Sequence, residues 1–563
     1  MARLNIPVGV SDFEKIRKNG YYYIDKSSLI TEVLKKEVTG VTLLTRPRRF
    51  GKTLAMSMLA SFFDIRKQSQ ELFGGLAISS YPDLCQKWMN QFPTLFLSFK
   101  DVNGATFERA FEMLKFTLSQ LCIEHAYLLA NDEIDDGYKE IFEKLKNQTA
   151  SITDVKGSLL VMMKMMQIHY KKPVILLLDE CDVPLSKASG NCYYHQMLEI
   201  IKAMMSTALK DNTALQFAVV TDCLKVSKES IFTGTNNFVS DMISKTRLQE
   251  YFGFTESDVK TILKDCDRME QAEKIKKWYD GYHFGEVDVY CPWDVMNYIY
   301  DLQLDPEALP SSYWRNTSDN AIIRSFIDYK GNAITMKLET LMSGGYIQQR
   351  IEEGLTYDYL HSSEDHLWSV LYLTGYLTKV KDSDLPESLR KQLKQSGKTA
   401  LIIPNLEIQE IFKDTIIRWF DDSVAKWDCQ ALFQAVWSGD SVAITREMTT
   451  LLRMTISYHD YREDFYHAFL AGIFTGAGYL IESNKEHGEG RSDVVVFDSR
   501  GGRVAIFEAK YSKSLEKMQV DCERALQQID DRQYAEEFED NYDHVFCYAI
   551  SFFKKRCLVK LKQ

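Results

Sequence analysis

No stretch of 18 consecutive apolar residues occurs in this chain, so it offers no candidate for a helix that crosses a bilayer. The opening "MARLNIPVGVSDFEKIRKNG" also lacks the apolar centre of a secretory signal. Together these absences predict a cytoplasmic protein with no membrane partner. C-x-x-C pairs are missing as well. Eleven cysteines stand singly from Cys85 to Cys557 with no histidine at zinc spacing, which argues against a zinc site and predicts reduced, mostly buried thiols. Excess positive charge is lacking too: 68 Lys and Arg against 79 Asp and Glu leave a net charge of -11. That argues against a broad basic surface of the kind that holds nucleic acid non-specifically, so any such contact is expected to be local. No internal repeat of solenoid period is present.

What is present is ordinary globular composition, 45% hydrophobic and 26% charged, over 563 residues. That length exceeds what one core organises and predicts two to four domains. The first informative stretch is "TRPRRFGKTLAMSML", Thr45 to Leu59. Gly51, Lys52 and Thr53 fit the second half of a G-x-x-x-x-G-K-[ST] phosphate loop, but Arg46 stands where the first glycine belongs and Pro47 follows it. The apolar "GVTLLT" before it predicts a strand, and "LAMSMLASFFD" after it has helical periodicity. In such a loop backbone N–H groups surround phosphates, the lysine reaches the terminal phosphate and the hydroxyl meets Mg2+. The available amides run from Arg48 through Arg49, Phe50, Gly51 and Lys52 to Thr53, and the two arginine side chains could add charge. A solvated basic turn is the alternative.

The second half of that site is "KKPVILLLDECDVPL", in which the continuous apolar run Val174 to Leu178 reads as a buried parallel strand ending in Asp179 and Glu180. Asp179 is the candidate Mg2+ ligand, through water, and Glu180 the candidate that orients an attacking water. Two carboxylates at the end of a buried strand are costly to desolvate unless a cation or hydrogen bonds meet them. A third strand, "LQFAVVT", ends in Thr221. Between these strands the methionine-rich "SLLVMMKMMQIHY" and "MLEIIKAMMSTAL" read as buried helices. Lys225 and Lys228 fit a solvated loop equally well as a phosphate contact.

Near the C-terminus, "GRSDVVVFDSRGGRVAIFEAKY" predicts a hairpin around Ser499 to Gly502. Centring the turn between Arg500 and Gly501 sets Asp498 against Arg503 and Asp493 against Glu508, with Lys510 on the face of Glu508. Like charges opposite one another in a sheet are destabilising, so Asp493 and Glu508 make sense around a divalent cation, Mg2+ or Mn2+, that activates water for phosphodiester cleavage. Lys510 would position the nucleophile. From Thr455 to Gln563, however, 15 Lys and Arg face 19 Asp and Glu. Substrate capture then depends on the rest of the chain, an oligomer or a partner. "DCERALQQIDDRQYAEEFEDNYD" reads as an acidic, solvent-facing helix, and only "FFKKRCLVKLK" is locally basic.

These residues resemble the AAA-ATPase-like proteins that carry a C-terminal PD-(D/E)XK nuclease superfamily domain. The likeness runs over most of the chain, through "IPVGVSDFEKIRKNGYYYIDKSSLI", "RPRRFGKT", "LLLDECDVPL", "KVSKESIFTGTNN", "FGFTESDV", "WYDGYHFG", "PWDVMNYI", "YWRNTS", "LYLTGYLT" and "IPNLEI". It implies that Arg46 is the family's own form of the loop, while Asp222 departs from the usual glycine. The implied fold is α/β: an AAA-like P-loop parallel sheet over 1–255, a helical and winged-helix-like lid over 256–380, a helical connector over 381–454 and an α/β nuclease-like domain over 455–563. ATP and Mg2+ are the implied cofactors, and Thr221 the implied sensor of the terminal phosphate. Arg315 from the lid fits a phosphate contact or a plain surface arginine. The superfamily further implies an acidic residue, here Glu463, and a supporting Gln528. The partners implied are nucleic acid, DNA ahead of RNA, and a second copy of the chain. A C-terminus that only binds nucleic acid or protein, driven by an ATP switch, is the competing expectation.

Overall fold

The computed structural model describes residues 4–35, 40–223, 238–245, 247–314, 337–338, 340–355, 363–425, 430–455, 466, 470–474, 479–487, 490–499 and 501–562. Contacts divide the chain into two compact units, Met1–Ser318 with Gln348–Gln409, and Asp319–Ile347 with Glu410–Gln563.

The first unit is built on five parallel strands: β1 (Val41–Thr45), β2 (Thr94–Ser98), β3 (Val174–Asp179), β4 (Leu215–Asp222) and β5 (Phe238–Asp241). They lie in the order β2-β3-β4-β1-β5. All of β1 and β3 is buried, which is why each reads as a continuous apolar run and not as an alternation. Each such Val, Leu or Ile contributes roughly 1.5–3 kcal/mol by leaving water. The expected helices are present as Lys52–Phe63, Ile152–Tyr170 and Tyr194–Leu209. In Ile152–Tyr170 Ser151 and Asp154 close a capping box, and Met162, Met163, Met165 and Met166 are core.

Beyond the sheet, the first unit continues with helices Glu256–Asp265, Ala272–Tyr279 and Pro292–Leu304. A hairpin of β6 (Tyr282–Phe284) and β7 (Val287–Val289) lies between the last two. The strands β8 (Ile347–Gln349), β9 (Thr378–Lys379) and β10 (Thr399–Ile402) form a small sheet in the order β8-β10-β9. Trp314 and Trp368 are fully buried, as their size favours.

The second unit carries a mixed sheet of β11 (Leu480–His487), β12 (Gly490–Asp498), β13 (Arg503–Tyr511), β14 (His544–Phe553) and β15 (Arg556–Leu561), in sequence order. All its pairings are antiparallel except β13 with β14. Alternation assigns the two faces. Val494, Val496, Ala505 and Phe507 pack with residues of the helices Gln430–Ser438 and Ser441–Thr455. Val495, Phe497, Val504 and Ile506 pack with Ile529 and Tyr534 on the other face. The acidic helix Met518–Asp531 is therefore not simply solvent-facing. Cys522, Ala525 and Ile529 are buried, while Glu523 and Asp530 hold Lys560 and Lys562 at 2.8 and 2.6 Å. The locally basic run is the turn and second strand of the β14–β15 hairpin. No described helix is long and apolar enough to cross a membrane.

Candidate functional site

The register of the parallel sheet brings the carboxyl ends of its strands level, the place where open α/β sheets bind ligands. Ser98 of β2 lies beside Asp179 of β3, and Leu44 of β1 lies between Thr221 of β4 and Asp241 of β5. Asp179 has no exposed surface. Its Oδ1 accepts the Thr221 hydroxyl at 2.6 Å and its Oδ2 the Thr53 hydroxyl at 2.9 Å, with Ser98 Oγ at 3.4 Å. Thr221 Oγ1 also accepts the Glu180 amide at 3.2 Å. The expected residues Thr53, Asp179, Glu180 and Thr221 are thus one hydrogen-bonded group. Burial pushes the Glu180 carboxyl up from its ordinary range, partly countered by the Lys52 charge.

Lys52 begins the helix Lys52–Phe63 and is itself buried. Its Nζ donates to the carbonyls of Arg46 and Pro47, both at 2.8 Å, and lies 3.4 Å from Cys223 Sγ. The ammonium therefore sits inside the turn that its own loop makes. Gly51 at φ +83° and Arg49 at φ +71° give the loop two left-handed residues. Only the glycine accepts that without strain; Arg49 must be held there by its contacts. The first amides of the helix have no intrahelical acceptor, which leaves Gly51, Lys52 and Thr53 as N–H donors at a positive helix end.

Arg46 explains the missing glycine. Its side chain has no exposed surface and turns back into the protein. Nη1 donates to the Thr45 and Asp241 carbonyls at 2.8 and 2.9 Å, and Nη2 to Asp241 Oδ1 at 3.2 Å. The rings of Phe252 and Phe284 lie 5.2 and 5.9 Å from its guanidinium carbon. Burial works against that charge, and Asp241, which also takes Arg247 at 2.9 Å, offsets part of the cost. The backbone amide of Arg46 donates to the Asp222 carbonyl. Asp222 is fully buried and pushed well up by burial beside Asp182, so the position that departs from glycine lies under the loop and not on its surface.

The rest of the loop is braced by segments far away in sequence. Phe50 is buried edge-on to Tyr282 at 4.9 Å and against Phe284 at 5.1 Å. Arg49 stacks over Trp293 at 4.3 Å, and its carbonyl lies 3.8 Å from the Cys291 thiol. Arg49 is thus engaged with Trp293, where the sequence suggested a charge for phosphate. Arg48 is half-exposed, and its charge is felt at Glu180 and Cys223. A Cβ on Gly375 would come within 3.0 Å of Pro47. None of these braces was visible in sequence, because the partners lie some two to three hundred residues on. Arg315, Lys225 and Lys228 fall outside the described residues.

In the second unit the hairpin register pairs Asp498 with Arg503 and runs to Val494 with Phe507, the residues next to Asp493 and Glu508. Asp493 Oδ2 accepts the Ala509 amide at 2.7 Å. Glu508 is fully buried, and its Oε1 accepts Lys510 Nζ at 2.8 Å. Asp493, Glu508 and Lys510 share the sheet face covered by Ile529 and Tyr534. Gln528 of the covering helix donates from Nε2 to the Tyr534 hydroxyl at 3.5 Å, and that phenol is raised by burial and by the charges of Glu508 and Asp493. Tyr534 is the neighbour that sequence reasoning missed; its aromatic ring inside an acidic helical run was the available signal. Glu463 falls outside the described residues. Among the described residues no three His, Cys, Asp or Glu side chains gather as a metal-binding group.

Comparison with known proteins agrees with both halves. Residues 7–232 match the family model of predicted AAA-ATPases, and residues 461–562 match that of the PD-(D/E)XK nuclease superfamily. An uncharacterized protein in the vnfD 5' region of Azotobacter chroococcum mcd 1 is 24% identical over 568 residues, covering 98% of this chain and 97% of that one. The chain joins an AAA-ATPase-like domain to a C-terminal domain of the PD-(D/E)XK nuclease superfamily.

Proposed function

We propose that the chain binds and hydrolyses ATP at the Arg46–Thr53 loop and cleaves phosphodiester bonds of nucleic acid at Asp493, Glu508 and Lys510. The observation that carries the first half is the convergence of the Thr53 and Thr221 hydroxyls on one buried carboxylate, Asp179, beside an inward-turned Lys52. An all-oxygen donor set of hydroxyl and carboxylate suits Mg2+, so Thr53 and Asp179 would hold it; at the second site Asp493 and Glu508 offer carboxylate oxygens of the same kind. A divalent ion at either place neutralises charge growing on phosphate oxygens and makes bound water a better nucleophile.

In this reading Lys52 exchanges its two loop carbonyls for phosphate oxygens, and the amides of Gly51 to Thr53 donate to the same group. Glu180, held at the strand tip by its amide bond to Thr221, accepts the proton of the water that attacks the terminal phosphorus. A carboxyl pushed up by burial is a stronger base than an exposed one. Lys510, tethered to Glu508, orients the water that attacks the phosphodiester. ATP turnover gates that second reaction. DNA is the favoured substrate, and a homo-oligomer is the assembly in which a nuclease domain of low positive charge would gain its grip.

Two assays test this reading. Lys52→Ala is expected to abolish ATP binding, and Glu180→Gln to bind ATP without turning it over. Folded Asp493→Ala, Glu508→Ala and Lys510→Ala variants are each expected to lose Mg2+- or Mn2+-dependent cleavage. Normal turnover in the first pair, or cleavage retained in all three of the second set, rejects the corresponding half.

A further inference from the structure

Arg49 is a residue of the loop to which the proposed chemistry gives no role. It is a non-glycine residue in the left-handed region, so something outside its own backbone keeps it there. Its guanidinium lies 4.3 Å over the Trp293 ring, and its carbonyl faces the Cys291 thiol. Behind that ring, at the start of the helix Pro292–Leu304, Asp294 is completely buried, and neither of its oxygens meets an ordinary hydrogen-bond donor. Its carboxyl faces that of Glu407, which is equally buried and accepts the Trp314 amide at 2.8 Å. Two carboxyls in contact, with no cation of the described residues between them, form a hydrogen bond only when one keeps its proton.

The titratable and charged groups facing Asp294 among the described residues are Glu407, Cys291, Arg49, Tyr279 and Tyr282. Arg49 is the only cation in that set. Burial pushes both carboxyls and the Cys291 thiol up; the Glu407 carboxyl and the Cys291 thiol pull Asp294 back down by hydrogen bonding, and the Arg49 charge adds to that pull. The same guanidinium also feels Glu180 at the tip of β3. Arg49 thus stands between two acidic places, one at the strand ends and one beyond Trp293.

We propose that Arg49 is a positioning residue that is shared between the phosphates of a bound nucleotide and the Trp293–Asp294 seat, and so carries nucleotide occupancy to the Asp294–Glu407 acid pair. This rests on the Arg46–Thr53 loop being the nucleotide site. An empty loop leaves the guanidinium on Trp293. A polyphosphate, with several negative charges, draws it off the ring. The acid pair then loses the Arg49 charge, its proton affinity rises, and it takes up part of a proton as the nucleotide binds.

The experiment uses the full chain and Mg-ATP, with saturation checked by calorimetry before anything else is scored. Tryptophan emission is compared between the wild-type protein and Trp293→Phe. The expected result is an ATP-induced change in the wild type that is missing from Trp293→Phe at saturating ATP. In parallel, calorimetry in buffers of different ionisation enthalpy, just below neutral pH, is expected to show greater proton uptake by wild type than by Asp294→Asn, on the order of half a proton per site. Subtracting the variant removes protons exchanged by ATP itself. ATP binding with the same emission change in both proteins overturns the proposal, whether or not Asp294→Asn folds. Equal proton uptake by folded wild type and Asp294→Asn overturns it as well. A wild-type protein that binds no ATP rejects the nucleotide reading instead, and this inference falls with it.

Discussion

Arg46 shows how one side chain can make a motif look broken when it is not. Glycine at that position would leave the Asp241 carboxylate buried with Arg247 alone and open a void between Phe252 and Phe284. Breaking one partner of a buried ion pair strands the other charge. Arg46→Gly, although it restores the expected loop pattern, should therefore cost about 3 kcal/mol of stability in denaturant unfolding. A variant as stable as wild type would show that the guanidinium is not the pin described. Thiol chemistry offers a second check at this scale. Burial pushes the Cys181, Cys223 and Cys291 thiols up, whereas Cys192 is exposed. Native-state alkylation at neutral pH, followed by mass mapping, should modify Cys192 well before those three.

Elements were legible wherever local pattern alone decides them. The runs that became β1, β3 and β4 are apolar because parallel strands are covered on both faces, and their predicted bounds differ from the observed ones by a residue. The hairpin register followed from counting outward from the turn, and Asp498 opposite Arg503 is as counted. What could not be read were contacts that only folding creates: Arg46 with Asp241, Arg49 with Trp293, Phe50 with Tyr282. Nor did the acidity of Met518–Asp531 disclose a buried face, because its four buried positions, Met518, Cys522, Ala525 and Ile529, are spaced between charged ones. Gly281 is a point where an element boundary tolerates no side chain. It sits at φ +95°, and a Cβ there would lie 2.1 Å from the Pro404 carbonyl oxygen, next to Asn405, which caps the helix from Leu406 and holds the Asp280 carbonyl. Gly281→Ala should lose more than ~1 kcal/mol in thermal unfolding. An unchanged midpoint would contradict that packing.

For the whole molecule, the chemistry divides between two domains of opposite difficulty. The AAA-ATPase-like domain has its candidate groups hydrogen-bonded and level at the strand ends, whereas the nuclease-like domain has three ionisable groups on a sheet face in a segment where 19 Asp and Glu outnumber 15 Lys and Arg. Its C-terminal lysines are partly spent on Glu523 and Asp530. Replacing those two acids by Gln and Asn should release Lys560 and Lys562 and raise non-specific nucleic-acid affinity, with the gain vanishing as salt is added. A gain that survives high salt would point to another cause.

In the proposed function the nucleotide cycle of one domain governs cutting by the other. The most direct test is the rate of DNA cleavage in Mg2+ with and without ATP, for wild type, Glu180→Gln and Glu508→Gln. Cleavage by wild type that changes with ATP, a different response in Glu180→Gln and none at all in Glu508→Gln is the predicted result. Cleavage at one rate in wild type and Glu180→Gln, indifferent to ATP, would contradict it.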